Sequence, residues 1–132
     1  PAYLVPKTPI PAGVEVSEAA LAQGDATRGR DLYSRQSCIG CHYVAGNPMS
    51  LGRIGPSLTH VGSRTTLASG LFPNDARHLA AWIKNSRAMK PGVTMPTIGK
   101  GQVDPVTKLT VNQGGLTDEQ IADIVAYLLA LK

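Results

Sequence analysis

Two cysteines and a histidine form the cluster in this sequence whose spacing is most specific for one chemistry. Cys38 and Cys41 are the only cysteines, and His42 follows Cys41 directly. In the pattern C-x-x-C-H, two thiols three residues apart can add across the vinyl groups on one edge of a porphyrin, which brings the adjacent imidazole beneath the ring. Gly40 leaves room for the backbone to pass that edge. The pattern therefore predicts covalent haem attachment, with His42 as an iron ligand.

Three other uses of the cysteine pair are weaker. A thioredoxin-like redox pair would need a β-α-β context, which the sequence lacks. A zinc site would need two further ligands at matching spacing, and His60 and His78 occur singly. A disulfide between Cys38 and Cys41 would close a loop too small to add much stability. Aromatic residues are only 5% of the chain, which agrees with a core that a haem completes.

A second iron ligand is predicted at Met95, in a loop with prolines on both sides that would stiffen it. A thioether is a soft ligand that stabilises ferrous iron, and His/Met ligation raises the reduction potential. Met49 and Met89 are interpreted instead as gap-filling core residues. His60 or His78 would give bis-histidine ligation, which stays open as an alternative.

The elements that must position these residues are predicted to be three main helices. The first helix is predicted to begin at an N-cap at Asp25 or Thr27 and to end by Gly40. The second is predicted to begin at an N-cap at Asn74 and to end near Asn85. The last begins at a capping box formed by Thr117 and Gln120. The last helix has its apolar residues at helical spacing. Residues 43–73 and 86–101 are interpreted as loops. Residues 102–111 alternate well enough for a small β-hairpin with its turn near Asp104 and Pro105, so the sequence predicts an all-α domain with a large irregular share.

The length of 132 residues corresponds to one domain. Residues 1–24 contain four prolines in their first eleven positions, so we predict a proline-rich linker or N-terminal extension there, with a short helical turn within 14–23. Residues 25–132 form the predicted folded domain. Because the sequence begins with Pro1 and shows no signal segment, we expect a processed product or a fragment.

The net charge of +4 is unevenly distributed. From Arg28 to Lys100 there are ten basic and two acidic residues. No helix-turn-helix, finger or aromatic strand motif accompanies them, so nucleic acid is not the expected partner. No apolar run approaches the ~20 residues of a membrane-spanning helix.

Part of this basic zone is a candidate docking surface. The stretch from Arg77 to Lys100 contains no acid, and we predict that its basic residues form a docking rim for an acidic redox partner: Lys84, Arg87, Lys90 and Lys100. An ordinary solvated basic surface is the alternative.

From about Thr27 to Lys132 the sequence closely resembles the class I cytochromes c. Gly29 and Tyr33 fall where that family packs its first helix against an aromatic residue of the last helix, here Tyr127. The resemblance implies the class I cytochrome c fold, in which three main helices and their loops surround one covalent haem c.

The same resemblance implies roles for further site residues. Gly55 and Pro56 match the loop whose proline carbonyl accepts a hydrogen bond from the iron-ligating imidazole, so Pro56 would orient His42. Arg64 falls at the position whose guanidinium meets a haem propionate. Trp82 falls at the aromatic position near the haem and the methionine ligand, and its spacing to Met95 also matches.

A narrower resemblance covers residues 55–95, which look like the cytochrome c domain fused to subunit II of caa-type haem–copper oxidases. This implies an electron-transfer module of an oxygen-reducing oxidase complex on the outer, periplasmic face of the bacterial cytoplasmic membrane. Its donor would be a cytochrome or similar redox protein, and its acceptor would be the oxidase's dicopper domain. The sequence contains no cupredoxin domain or copper ligands, and residues 99–115 are longer than the minimal fold needs.

The expected function is therefore one-electron transfer by iron whose two axial positions are filled by His42 and Met95. A free-standing soluble cytochrome c shuttle shares all of this chemistry and stays open. A haem enzyme with a labile or missing ligand is a further alternative, against which a methionine at the matching position argues.

Overall fold

The computed structural model of the protein describes residues 8–132. In chain order their elements are α1 (Glu18–Ala22), α2 (Ala26–Tyr33), α3 (Cys38–Cys41), a 3₁₀ helix (Val61–Ser63), β1 (Thr66–Leu67), β2 (Phe72–Pro73), α4 (Ala76–Met89) and α5 (Asp118–Leu129). The predicted mainly helical fold with a large irregular share is confirmed. Within this part of the chain, no helix is both long and apolar enough to cross a membrane.

The small sheet lies elsewhere than the sequence predicted. β1 and β2 pair antiparallel, with Thr66 opposite Pro73 and Leu67 opposite Phe72. Phe72 is fully buried, so this ribbon contributes directly to the core. A two-stranded ribbon is marginal alone, and here the buried Phe72 packs near the ring of Trp82 on α4, with 6.3 Å between ring centroids.

Close packing of α2 on α5 forms the centre of the molecule. A Cβ atom at Gly29 would overlap the backbone carbonyl of Asp123, so only glycine lets the two helices approach this closely. One turn further along, the rings of Tyr33 and Tyr127 lie 5.4 Å apart between centroids and both are buried. The helix contact implied by the family resemblance is confirmed.

The predicted caps are present on α2 and α5 but not on α4. Thr117 and Gln120 form the capping box of α5, and Asp25 caps α2. The N-cap of α4 is Asp75, whose carboxylate accepts from the His78 backbone N–H at 2.8 Å. Asn74 was the wrong prediction because its side-chain amide donates instead to the carbonyls of Val61 (2.7 Å) and Arg64 (3.0 Å).

The predicted end near Asn85 coincides with a break within α4. Asn85 has non-helical φ and ψ of −156° and 77°, and the Lys84 carbonyl accepts from the Gly99 N–H at 2.9 Å. The helix then resumes to Met89, because the Asn85 side chain accepts from the Ala88 N–H at 3.2 Å. Asparagine is a favoured N-cap residue, so Asn85 starts the last turn of α4.

Residues 102–111, hereafter the 102–111 hairpin, form a reversing loop with a single bridge between Val103 and Thr110. The backbone N–H of Asp104 donates to the Leu109 carbonyl at 2.9 Å. The turn therefore spans residues 104–109, longer than predicted, and contains Lys108 at a φ of +63°. It is a bridged loop rather than a pair of strands.

Part of the proline-rich N-terminal segment packs on the rest of the molecule. Ile10, Val14 and Val16 are buried in the same core as α4 and α5. The carbonyl of Gly13 accepts from the Gln102 side chain at 2.9 Å. The helix α1 lies within the range predicted for a helical turn. Residues 1–7 of the predicted linker or extension lie outside the described residues.

Asp123 joins α5 to the start of α2. Its carboxylate accepts from the Arg28 guanidinium at 3.0 and 3.1 Å and from the Asp25 backbone N–H at 2.9 Å. Burial alone would raise the pKa of the Asp123 carboxyl, but these hydrogen bonds and the Arg28 charge outweigh it and lower the pKa. The folded state therefore favours the ionised carboxylate.

We predict that Asp123→Asn lowers the free energy of unfolding at neutral pH and that this loss shrinks in acid. A lowered folded-state pKa stabilises above the ordinary aspartate pKa of about 3.9, and the contribution is lost as pH falls through the lower folded value. Urea unfolding followed by circular dichroism at pH 7 and pH 3 measures the difference. The control is Asp31→Asn, which removes an exposed ion pair with Arg35 on the surface of α2 and should change little. Equal losses at both pH values would contradict the prediction.

Candidate haem site

The two cysteines are placed by the single turn of α3, which begins at Cys38 and ends at Cys41. The His42 backbone N–H donates to the Cys38 carbonyl at 2.9 Å, so the imidazole follows this turn in a fixed position. Both thiols are free and half-buried. Burial raises the pKa of the Cys38 thiol, which does not match a redox-active C-x-x-C pair, whose reactive thiol has a lowered pKa.

The imidazole of His42 is oriented by the loop that carries Gly55 and Pro56. Its Nδ1–H donates to the Pro56 carbonyl at 2.8 Å. A neutral imidazole that donates through one nitrogen keeps a lone pair on the other, so Nε2 is the atom that can bind a metal. A Cβ at Gly55 would lie 2.6 Å from the ring carbon Cε1 of His42, so this loop can approach the ring only with glycine there.

A buried chain of hydroxyls supports the backbone of His42 from behind. The Ser50 hydroxyl donates to the His42 carbonyl at 2.8 Å, and the Tyr33 hydroxyl lies 2.9 Å from Ser50. Burial raises the pKa of Tyr33 to about 12, so its hydroxyl stays protonated and can donate. Beside it, Asn47 donates to the Tyr127 hydroxyl at 3.0 Å.

Sequence reasoning missed Ser50 and Asn47. They lie in a loop of small polar residues, where no local pattern separates a buried hydroxyl or amide from an exposed one. The only available signal was their position between the C-x-x-C-H motif and Pro56.

Arg64 and Trp82 have different neighbours. Arg64 is exposed and its guanidinium donates to the Ser57 carbonyl, next to Pro56. Trp82 lies on α4 and is half-buried beside Phe72. Among the described residues, no hydrogen bond connects Trp82 or Met95 to the group formed by Cys38, Cys41, His42, Pro56 and Arg64.

Met95 lies in a loop held by the end of α4. The Ser86 hydroxyl donates to the Met95 carbonyl at 2.9 Å, while the thioether side chain is half-buried. Met89 is buried, as predicted for a core residue. Met49 is 57% exposed, so its interpretation as a gap-filling core residue was wrong.

The two other histidines have partners at Nδ1 that anchor their rings. His60 donates to the carbonyl of Lys132 at 2.9 Å and lies at the surface. His78 is buried, with its Nδ1 2.8 Å from the Asp75 carboxylate. The His60 ring therefore contacts Lys132, and the His78 ring contacts Asp75 at the start of α4.

Two residues of the predicted basic docking rim are used inside the molecule. Lys84 is only 8% exposed, and its ammonium group lies 3.0 Å from the Asp118 carboxylate and donates to the Glu15 carbonyl. Arg87 pairs with Asp104 at 2.6 Å. The predicted rim is therefore wrong at Lys84 and Arg87, because both charges are paired with acids distant in sequence.

The donor set fits a covalent haem. Two free thiols on one helical turn can each take a thioether bond, and Nε2 of His42 is available as an iron ligand. Leu51 and Ile54, on the loop between His42 and Pro56, are 64% and 83% exposed. In residues 8–132 no group of three or more His, Cys, Asp or Glu side chains is arranged to hold a metal ion.

Comparison with known proteins gives one family. The Cytochrome c family model matches residues 26–132. Cytochrome c oxidase subunit 2 of Alkalihalophilus pseudofirmus is 31% identical over 107 residues, which cover 81% of this chain and 26% of that protein. A cytochrome c of Tetrahymena pyriformis is 27% identical over 123 residues, which cover 88% of this chain and 97% of that protein.

Solved structures agree on the fold. A chain in the crystal structure of SoxXA from P. pantotrophus has a TM-score of 0.59 and 24% identity, over 83% of this chain and 82% of that chain. The present chain spans about a quarter of the length of the oxidase subunits it matches.

The family match begins at α2 and includes the C-x-x-C-H motif together with the loop that carries Met95. With two cysteines in that motif, the cofactor is a covalently attached haem c. The chain belongs to the cytochrome c family and has the class I cytochrome c fold.

Proposed function

We propose that this domain is a one-electron carrier that passes electrons to the dicopper centre of a haem–copper terminal oxidase. The observation that supports it most is the fixed imidazole of His42, whose Nδ1–H is held by Pro56 at 2.8 Å so that Nε2 is presented as a permanent ligand. The choice of acceptor is supported by the similarity to oxidase subunit 2. In this proposal the domain lies at the outer face of the bacterial cytoplasmic membrane, as part of a membrane complex.

The residues of this chain hold the site rigid rather than move during transfer. The bound haem supplies the iron that accepts and releases one electron. Cys38 and Cys41 anchor it covalently, and His42 and Met95 are the proposed axial ligands. Since fixed ligands need little rearrangement between oxidation states, the support of His42 by Ser50 serves electron transfer directly.

Arg64 and Trp82 have proposed roles at the same cofactor. The exposed guanidinium of Arg64 is held beside the Pro56 loop through the Ser57 carbonyl, where it would pair with a propionate. Trp82 is half-buried and keeps its ring near Phe72, with an indole N–H that can donate to the cofactor's rim. Both roles rest on the family resemblance.

The acceptor is proposed to dock through apolar contacts beside His42. Leu51 and Ile54 are exposed on the loop that leads to Pro56, and Arg53 between them lies over the ring of Tyr43 at 4.9 Å. Since Lys84 and Arg87 are paired internally with aspartates, two of the four residues of the predicted basic rim, Lys90 and Lys100, remain to steer an acidic partner. An apolar docking patch of this kind has an association rate that depends weakly on salt.

We predict that Met95→Ala abolishes the sulfur-to-iron charge-transfer band at the red edge of the oxidised spectrum. It should also lower the reduction potential, on the order of 0.1 V or more, because the thioether stabilises ferrous iron. Optical spectroscopy and potentiometric titration of the haem-loaded protein measure both effects. The control is Met49→Ala, which removes an exposed methionine. Survival of the band in Met95→Ala would show that another residue is the ligand.

We predict rapid electron transfer from the reduced protein to the isolated dicopper domain of a subunit 2 relative, with a rate that changes little between low and high ionic strength. Ile54→Asp should slow it about tenfold, since a charge in an apolar contact must be desolvated. Stopped-flow absorbance follows the transfer, and Lys100→Gln, at an exposed residue of the predicted rim, is the control. Failure to reduce the dicopper domain would overturn the proposed acceptor, and a steep salt dependence would restore the basic docking rim.

The free-standing shuttle remains the second candidate, and the 97% coverage of a whole cytochrome c by this chain favours it. It predicts the same spectrum and the same ligands. The length of the intact gene product distinguishes the two, because the fused domain requires a preceding dicopper domain.

A further inference from the structure

Three consecutive residues at the break in α4 each hold the loop that carries Met95. The Ser86 hydroxyl donates to the Met95 carbonyl at 2.9 Å, the Arg87 guanidinium donates to the Thr94 carbonyl at 3.2 Å, and the Thr97 hydroxyl donates to the Asn85 side chain at 3.0 Å. We refer to Asn85, Ser86 and Arg87 as the 85–87 clamp. An unbroken helix would not place three successive side chains toward one loop, because successive helical residues point about 100° apart.

The 102–111 hairpin is attached to this clamp at two points. The Asn85 amide donates to the Val103 carbonyl and to the Gln102 side chain, both at 3.2 Å. The Arg87 guanidinium donates to the Asp104 carboxylate at 2.6 Å. Arg87 therefore bridges the hairpin and the Met95 loop, with one nitrogen on Asp104 and the other on the Thr94 carbonyl.

The two carboxylate oxygens of Asp104 accept hydrogen bonds from different parts of the chain. Oδ1 accepts from the backbone N–H groups of Val106 and Thr107, at 2.8 and 3.1 Å, which forms the hairpin turn. Oδ2 accepts from Arg87. Asp104 is 7% exposed, so this charge-assisted contact is shielded from water. Burial alone would raise the pKa of its carboxyl, but the two backbone hydrogen bonds and Arg87 lower it, so the carboxylate is ionised at neutral pH.

We propose that Asp104 is a positioning residue for the axial methionine: through Arg87 it holds the Thr94 carbonyl, and thereby keeps the Met95 thioether at the haem iron. This inference rests on the proposed role of Met95. It gives residues 102–111, which lie within the 99–115 segment that the sequence predicts to exceed the minimal fold, a function in electron transfer. With Asp104 ionised, Arg87 has a fixed geometry and its second nitrogen stays aimed at the loop.

An axial methionine competes with small exogenous ligands for the iron. The thioether is a neutral ligand on a loop, and the loop contains Gly92 at a φ of +96°, where the backbone has few side-chain restraints. Any opening of the loop exposes the iron to small exogenous ligands. Loss of one charge-assisted hydrogen bond that restrains the loop increases the equilibrium constant for opening of the loop by about tenfold or more.

The test is Asp104→Asn in the haem-loaded protein, with imidazole as the probe ligand. Asparagine keeps an oxygen for the Val106 and Thr107 N–H groups, so the hairpin turn survives, while its NH₂ group cannot accept from Arg87. We expect ferric Asp104→Asn to bind imidazole about tenfold faster than the wild-type protein at saturating imidazole, where loss of the methionine limits the rate. The charge-transfer band should also disappear at a lower temperature than the main unfolding transition.

The controls separate positioning from general destabilisation. Asp123→Asn removes the contact with Arg28, which should lower stability without touching the 85–87 clamp, and it should leave the imidazole rate unchanged. Ser86→Ala removes the direct contact with the Met95 carbonyl and should accelerate imidazole binding as Asp104→Asn does. If Asp104→Asn does not fold, Arg87→Lys gives the same readout, because a lysine cannot contact Asp104 and the Thr94 carbonyl at once.

A wild-type imidazole rate in Asp104→Asn, with the charge-transfer band present, would overturn the proposal. A wild-type protein that lacks this band, or a Met95→Ala variant that keeps it, would instead overturn the role of Met95. The two failures are therefore distinguishable.

Discussion

The orientation of one imidazole is the constraint on which the rest of this structure depends. His42 follows a single helical turn, and its ring is held by a hydrogen bond to the Pro56 carbonyl and by the close approach of Gly55. The backbone behind it is held by Ser50, which in turn contacts Tyr33 of α2. The α2–α5 contact is thereby linked to the backbone of His42 through the Tyr33–Tyr127 packing, the Tyr33–Ser50 contact and the Ser50 hydrogen bond to the His42 carbonyl. A cytochrome needs this rigidity, because any change of ligand geometry between oxidation states slows electron transfer.

The parts of the fold that were predictable from sequence are those decided within a few residues. The C-x-x-C-H motif and the Thr117/Gln120 capping box each depend only on local spacing, and both were located correctly in the structure. The N-cap of α4 was less predictable because Asn74 and Asp75 are adjacent and both cap well. Asp75 is the N-cap because the Asn74 amide donates instead to the Val61 carbonyl, which lies thirteen residues away in sequence.

Charges were the hardest feature to interpret from sequence. Lys84 and Arg87 lie in a stretch without acids, yet each is neutralised by an aspartate from a later segment, Asp118 and Asp104. A charge run indicates a solvated face only if no distant residue folds against it. Met49 shows the converse error, since an apolar residue in a loop was assigned to the core and lies at the surface.

The burial of Ile10, Val14 and Val16 has a practical consequence for defining the cooperative folding unit. The match to the family model starts at residue 26, whereas these three side chains belong to the same apolar cluster as α4 and α5. Each full burial of an aliphatic side chain is worth about 1.5–3 kcal/mol, which is comparable to the margin by which small proteins stay folded. A recombinant chain that begins at residue 26 would expose the apolar surface that these side chains cover, and such a protein would tend to self-associate. The start of the family model and the start of the packed apolar cluster therefore lie at different places on this chain.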